Sequence, residues 1–339
     1  MDLLRLRFSF RAIDPVQLPE YSGSAWRGLF GHSLRAIACV TRQPTCNGCL
    51  LLRNCAYPVL FETPAAALDA AGIGPERAGQ TGPDTLPHPF VLEPDLDAPP
   101  AIAAGGALGL GLTLIGAVEQ RLTFVIAAFV EAGKRGLGPT QARLQLHVVS
   151  WERSVGSNEW QPLWSPQHGL GPAPTPTAAE PPPCPAAVRV RLLTPLRIKA
   201  GGGFPTPGTF RVRDLLRNLH TRLHRLSQLY GGEPGAFAWA HVAEHADALV
   251  VADIDLHWRD WRRWSNRQQA HQPMGGLVGS FVLGGPALAA YWPVLWLGQW
   301  VHAGKGTAFG LGGYRLEPLA DPKPQADGPG GGGSRGLQP

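Results

Sequence analysis

A strand, a helix, two strands, a second helix and a last strand are written twice along this chain, and that repeated order constrains the fold more than any single motif. In the first copy Leu4, Leu6, Phe8 and Phe10 alternate with Arg5, Arg7, Ser9 and Arg11, the period of a strand with one buried face. Trp26, Leu29, Phe30, Leu34 and Ile37 then recur at helical spacing. A short strand near Phe90, a Gly-rich strand near Ala107 to Ile115, an apolar helix near Ala117 to Glu131 and an alternating strand from Arg143 to Val149 complete the set. The second copy opens with a strand through Val188, Val190, Leu192 and Leu196. An amphipathic helix over 210–230 follows, turning Val212, Leu215, Leu216, Leu219, Leu223 and Leu226 inward. Strands near Leu249 to Trp258 and Gly276 to Leu283, a helix opened by Pro286 and kinked by Pro293, and a strand near Gly312 to Leu316 close it. This order is that of a ferredoxin-like (RRM-like) sheet with two helices on one face. The expected fold is α+β, two β-α-β-β-α-β domains in tandem.

The boundaries follow from composition. Residues 156–186 are rich in Pro, Ala and Gly, with Pro181, Pro182 and Pro183 in a row, which opposes helix and sheet alike. They read as a linker or long loop between domains at 1–155 and 187–318, and residues 319–339 read as a disordered tail. A length of 339 residues suits two cores, and 44% hydrophobic residues with 11 Trp can fill them. The most apolar window, Leu122 to Val130, is half the length needed to span a bilayer, so the chain is expected to be cytoplasmic, with no membrane partner. The net charge is +5, and residues 187–320 hold 15 Lys/Arg against 8 Asp/Glu. A polyanion partner for the second half fits that excess.

Three stretches carry a resemblance. They are Tyr21-Ser-Gly-Ser-Ala-Trp-Arg-Gly-Leu-Phe-Gly-His32, Leu193-Thr-Pro-Leu-Arg-Ile198, and His302-Ala-Gly-Lys-Gly-Thr-Ala-Phe-Gly-Leu-Gly-Gly-Tyr314. In this order they resemble the precursor-crRNA processing endoribonucleases of the RAMP superfamily, in a bacterial branch with a four-cysteine insertion. The resemblance implies CRISPR repeat RNA as the partner, with crRNA as the product and subunits of a CRISPR interference complex as further partners. It also implies metal-independent cleavage to a 2′,3′-cyclic phosphate and a 5′-hydroxyl. Other members of the superfamily are non-catalytic RNA-binding subunits, which leaves RNA binding without cleavage as the alternative.

The residues themselves suggest how such chemistry would run. Gly304, Gly306, Gly310, Gly312 and Gly313 allow positive φ and close approach, so that backbone N–H groups could point at a phosphate beside Lys305 and Thr307. A tight helix-to-strand connection would need the same glycines. On the first helix, Gly28, Gly31, His32 and Arg35 turn away from the Trp26 face, with Arg27 at its border. Glycine inside a helix costs about 1 kcal/mol relative to Ala, so Gly28 and Gly31 suggest that RNA, the Gly-rich loop or another element packs closely there. RNA cleavage without a metal needs a base, cations for the phosphorane and an acid. His32, Lys305 and Arg27 or Arg35 supply that set, with Tyr21 and His302 in reserve. Arg213, Arg217, His220 and His224 form one stripe on the helix over 210–230, suited to a phosphate backbone or to solvent. The run from Trp258 to Arg267, with Arg262 and Arg263, could stack bases and pair with phosphates, or its rings could pack in the core.

Cys39, Cys46, Cys49 and Cys55 crowd into 17 residues, and the Cys46-x-x-Cys49 pair resembles a zinc knuckle. In a reducing cytoplasm structural zinc is expected, with an iron–sulfur cluster or free thiols as alternatives. Four thiolates would close the coordination shell, so this metal would not cut RNA. Cys184 stands alone and reads as a free thiol.

Overall fold

The structure is a computed structural model that describes residues 1–62, 86–117, 119–233, 236–241, 243–265 and 270–319. Both expected domains form. In the first, β1 (Asp2–Ala12) lies between β5 (Ala107–Ile115) and β6 (Leu144–Glu152), and β3 (Phe90–Pro94) flanks β5, all antiparallel. Two short strands, β2 (Val16–Gln17) and β4 (Ala101–Ile102), pair apart from this sheet. Helices α1 (Gly23–Ala38), α2 (Ala56–Phe61) and α3 (Leu122–Arg135) cover one face, where Leu4, Leu6, Phe8 and Phe10 meet Trp26, Phe30 and Phe129 in one core.

The second domain repeats the topology. Strand β10 (Ala187–Leu196) pairs with β14 (Gly276–Gly284) and β15 (Tyr314–Leu319), and β11 (Val250–Arg259) forms the edge beyond β14. A hairpin of β12 (Arg262–Ser265) and β13 (Ala270–Pro273) projects between β11 and β14. Helices α4 (Val212–Tyr230) and α5 (Leu288–Val301) complete the domain, and α5 runs through Pro293.

The 156–186 segment differs from the expected linker. Its first part forms β7 (Trp160–Ser165) and β8 (Gly169–Leu170), which extend the first sheet from β6, while β9 (Thr177–Ala178) pairs with the start of β1. Burial of Leu163 in the first core outweighs the proline content, and Pro162 sits where the β6–β7 register shifts, a place that tolerates a missing N–H. The expected tail beyond Leu319 lies outside the described residues. Among those described, no helix is long and apolar enough to cross a membrane.

The first sheet is buried at one end of its second face too, while Arg7, Ser9 and Arg11 of that face are exposed. Leu3, Val91 and Ile115 join the second core, alongside Tyr291, Leu295 and Trp300 of α5. This explains why α5 is apolar all round: it is covered by its own sheet on one side and by the first domain on the other. Arg5 shares that face, paired with Glu152 and Glu93 and lying 4.0 Å over the Trp300 ring. The domains therefore meet through a packed interface that fixes α1 against the loop leaving α5.

Candidate functional site

That loop, residues 302–313, is built by close backbone approach. Gly304, Gly306, Gly310 and Gly312 hold φ of 79°, 80°, 90° and 69°, the left-handed region that favours glycine. A Cβ on Gly312 would strike the Ala303 carbonyl, and one on Gly310 the Leu92 carbonyl of β3. On the facing side, a Cβ on Gly23 at the start of α1 would strike the Phe309 carbonyl. The Tyr21 hydroxyl donates to that same carbonyl at 2.5 Å. The loop is thus wedged between α1, β3 and the 196–198 segment.

Many of its amides are spent inside the protein. Gly304 N–H donates to Asn218 Oδ1, Lys305 N–H to the Arg197 carbonyl, Gly312 N–H to the Pro195 carbonyl and Gly313 N–H to Thr194 Oγ1. Phe309, Gly310 and Leu311 bond within the loop. The expectation of backbone donors converging on one phosphate is thereby narrowed to the Gly306–Ala308 stretch that lines the cleft described next. At these positions the glycines shape the loop, and side chains supply the charge.

The charge gathers in a cleft of about 370 Å³ between α1, α4 and the loop. Arg27, Arg197, Lys199, Arg222, Arg225 and Lys305 line it, together with Asn218, Thr307 and His88, and among the described residues no Asp or Glu does. Arg27 is placed from several sides: its guanidinium lies 4.7 Å over the Phe309 ring and 5.3 Å over Phe61, and its NH2 donates to His88 Nε2 at 3.1 Å. Burial, then the Arg27 and Arg222 cations, push the His88 pKa down to about 3, so the ring is neutral and free to accept that bond. Arg197 is also held, donating to the Gly275 carbonyl and lying 4.6 Å over Phe204. Desolvation lowers the pKa of Arg197. A clustered set of cations without carboxylates has a strong affinity for a polyanion.

Of the residues singled out in the sequence, Lys305, Arg27, Gly304, Gly306 and Thr307 line this cleft, whereas Gly310 and Gly312 support the loop from behind. His32 is exposed on α1 and does not line the cleft. Arg35 turns to the cysteine segment, donating to the Gln43 and Pro44 carbonyls, and is not part of the constellation. Tyr21 is buried and stacks on Trp261 at 4.2 Å; burial, then Glu93, push its phenol well above the usual range. His302 is only 3% exposed, with Nδ1 3.1 Å from the Leu311 carbonyl and Nε2 3.5 Å from Glu93 Oε1. The reserve roles given to Tyr21 and His302 are corrected: both brace the loop. Gly31 admits the Phe61 ring, while nothing lies within 4 Å of a Cβ on Gly28.

The stripe on α4 is also corrected. Arg213 and Arg217 are exposed and His224 half-buried, but His220 is buried against Trp239 and Tyr291, with Nδ1 3.2 Å from the Phe237 carbonyl. The cleft takes the opposite flank of the leucine face, Asn218, Thr221, Arg222 and Arg225. Sequence reasoning missed these, and Arg197, Lys199 and His88 as well. Arg222 carried a signal, since it lies between Leu219, Leu223 and Leu226 at helical spacing, a charge bordering an apolar stripe. Arg262 and Arg263 run along β12, and their side chains lie outside the described residues.

Cys39, Cys46, Cys49 and Cys55 are free thiols around one small cavity beside α1. Among the described residues, no three His, Cys, Asp or Glu side chains gather closely enough to hold an ion. The donor chemistry suits zinc, and the loop would have to tighten around it.

A larger cavity of about 510 Å³ lies at the domain interface. It is a weaker candidate, because two of its three arginines are matched and carboxylates line it as well: Arg5 pairs with Glu152 and Glu93, and Arg315 lies 3.5 Å from Glu93. Burial pushes the Glu93 carboxyl up, but the His302 contact, Arg5 and Arg315 outweigh it and hold it far below the usual range.

Comparison with known proteins matches two stretches of the chain. Residues 1–176 match the model of an N-terminal domain, AF_1859_N, and residues 190–314 match that of the CRISPR-associated endoribonuclease Cas6. The Cas6 (TTHB231) product complex superposes with a TM-score of 0.54 at 17% identity, covering 93% of this chain and 99% of that one. A partial Cas6-RT-Cas1–Cas2 complex gives 0.52 at 14% identity, covering 93% of this chain and 46% of the other. At these identities the likeness is one of fold. No curated protein sequence matches.

Proposed function

Because the chain belongs to the Cas6 family of CRISPR-associated endoribonucleases, we propose that it binds CRISPR repeat RNA in the cleft between α1, α4 and the Gly-rich loop and cuts it there to release crRNA. The observation that carries the reading is the lining of that cleft, six Arg or Lys side chains and, among the described residues, no carboxylate. Such a site holds phosphates and stabilises the extra negative charge of a phosphorane. Among the described residues its lining holds cations and no acidic ligand for a divalent cation, which supports cleavage by the RNA's own 2′-hydroxyl.

In that reaction the 2′-oxygen attacks the adjacent phosphorus and loses its proton, while the bond from phosphorus to the 5′-oxygen breaks and the leaving oxygen gains a proton. The products are a 2′,3′-cyclic phosphate and a 5′-hydroxyl. Lys305 and Arg27 neutralise the equatorial oxygens. His88 keeps Arg27 aimed and, with Nε2 occupied by that bond, is not the base. His32, exposed on the same helix as Arg27 and outside the cleft lining, is assigned the proton transfer, which requires the bound RNA to bring its reacting phosphate along α1 to it. Arg27→Ala and Lys305→Ala should each slow single-turnover cleavage of repeat RNA by about 10²-fold or more, a typical loss for one stabilising donor, with Lys305→Arg milder. Wild-type rates in both alanine variants would remove the cleft from the reaction.

The four cysteines carry a separate proposal, a structural zinc that fixes the segment after α1. Their convergence on one cavity and their freedom from disulfides support it.

A further inference from the structure

Among the described residues, Arg222 is a buried cation without a counter-ion. The residue is 8% exposed. Its Nε donates to the Val301 carbonyl at 2.8 Å, at the point where α5 gives way to the Gly-rich loop, and its NH2 is buried with no hydrogen-bond partner. Among the described residues no carboxylate acts on it: desolvation drives its pKa down to about 10, opposed by Tyr230. Lys305, Arg225, Arg197 and Arg27 share the cleft with it, so the neighbouring charge is repulsive.

A charge taken out of water and left unpaired is strongly destabilising, and a buried donor without an acceptor adds to the cost. Isolated from its setting, Arg222 is a defect in the folded protein. Its setting is a cleft that already attracts anions, and its side chain is fixed by the same carbonyl that starts the loop. An anion in the cleft would supply both the missing charge and the missing acceptor.

We propose that Arg222 is a preformed seat for one phosphate of the bound RNA, anchored through Nε to Val301 and offering its unpaired NH2 to a non-bridging oxygen. This rests on the RNA-cleaving reading above, but it concerns binding and is testable without any cleavage. Unlike the exposed Lys305, Arg222 meets its phosphate in a poorly solvated place. Its contribution therefore survives added salt better than that of a surface cation. The seat also implies a trade of stability for binding: the empty protein is less stable for having Arg222, and an anion restores what is lost.

The test is thermal unfolding of the full chain, with inorganic phosphate titrated against chloride at matched ionic strength. Wild type and Arg222→Met, an uncharged side chain of similar length, are compared. Wild type should be stabilised by phosphate beyond the chloride effect. Arg222→Met should unfold at a higher temperature than wild type without phosphate, lose most of the phosphate response, and bind repeat RNA roughly 10- to 100-fold more weakly, the range for a charge-assisted hydrogen bond. Arg222→Lys, which keeps the charge but cannot hold Val301 and phosphate together, should recover part of the phosphate response. A less stable Arg222→Met with an undiminished phosphate response would make Arg222 a structural residue and overturn the seat. If Arg222→Met does not fold, the absence of any phosphate-specific stabilisation in wild type overturns it equally. The two readings fail separately. RNA cut by wild type and bound equally well by Arg222→Met refutes the seat alone, whereas a lost phosphate response with repeat RNA left uncut by wild type refutes the nuclease alone.

Discussion

His88 shows how a residue outside every motif can control the chemistry of one inside it. It accepts a hydrogen bond from Arg27, and its depressed pKa keeps it an acceptor at neutral pH. The pH dependence follows directly. The unfolded chain takes a proton on His88 near the ordinary value of 6.5, whereas the folded protein refuses it until about 3. Stability from this group is therefore full above about pH 6.5 and is lost as pH falls through that interval. Chemical denaturation of wild type should show stability declining below about pH 6. His88→Gln, which keeps an acceptor for Arg27 but does not titrate, should decline less steeply over the same range. Parallel profiles would mean that His88 is protonated in the folded protein and cannot hold Arg27 in this way. No pattern in the sequence points to it, because its role depends on a contact 61 residues away in the chain. Tyr21 and His302 illustrate the opposite error. Their motifs were recognised, but a motif does not say whether its polar side chain faces a ligand or braces the backbone.

At the level of elements, the sequence was most legible where periodicity decides burial. The leucine face of α4 is buried as expected, and so is the alternation in β1 through Phe10. What periodicity does not decide is which flank of an amphipathic helix meets a ligand. Arg213 and Arg217 on one side of the leucines and Arg222 and Arg225 on the other are equivalent as pattern, and only the docking of α1 and the loop chooses between them. The cysteine segment poses the same problem, since spacing identifies the thiols but not the shape of the loop that carries them. Its prediction belongs to this scale. Purified protein should hold about one zinc per chain, and Cys46→Ser should lower the unfolding temperature while leaving Arg35 and the distant cleft chemistry largely intact. Stable protein free of zinc and iron would leave the segment as a packed loop with free thiols.

For the whole molecule, the doubled β-α-β-β-α-β order gave the architecture but not how the halves meet. The face of β1 that bears Leu3 and Arg5 reads as polar and is buried, because Glu93, Glu152, Trp300 and Arg315 come to it from four distant parts of the chain. Only the assembled pair of domains closes that network, and the same closure sets α1 of the first domain against the loop and α4 of the second. The cleft is thus a property of the interface, and its six cations come from both domains. The claim that this cleft cuts RNA through the substrate's own 2′-hydroxyl is tested most directly by single-turnover incubation of the protein, in EDTA, with the repeat RNA of its own locus. One substrate is unmodified and the other carries a single 2′-deoxy nucleotide immediately before the cut. The unmodified RNA should be cut once, to ends bearing a 2′,3′-cyclic phosphate and a 5′-hydroxyl, and the deoxy RNA should bind equally well and remain whole. Cleavage of the deoxy RNA, or tight binding of the unmodified RNA without cleavage, would contradict the account.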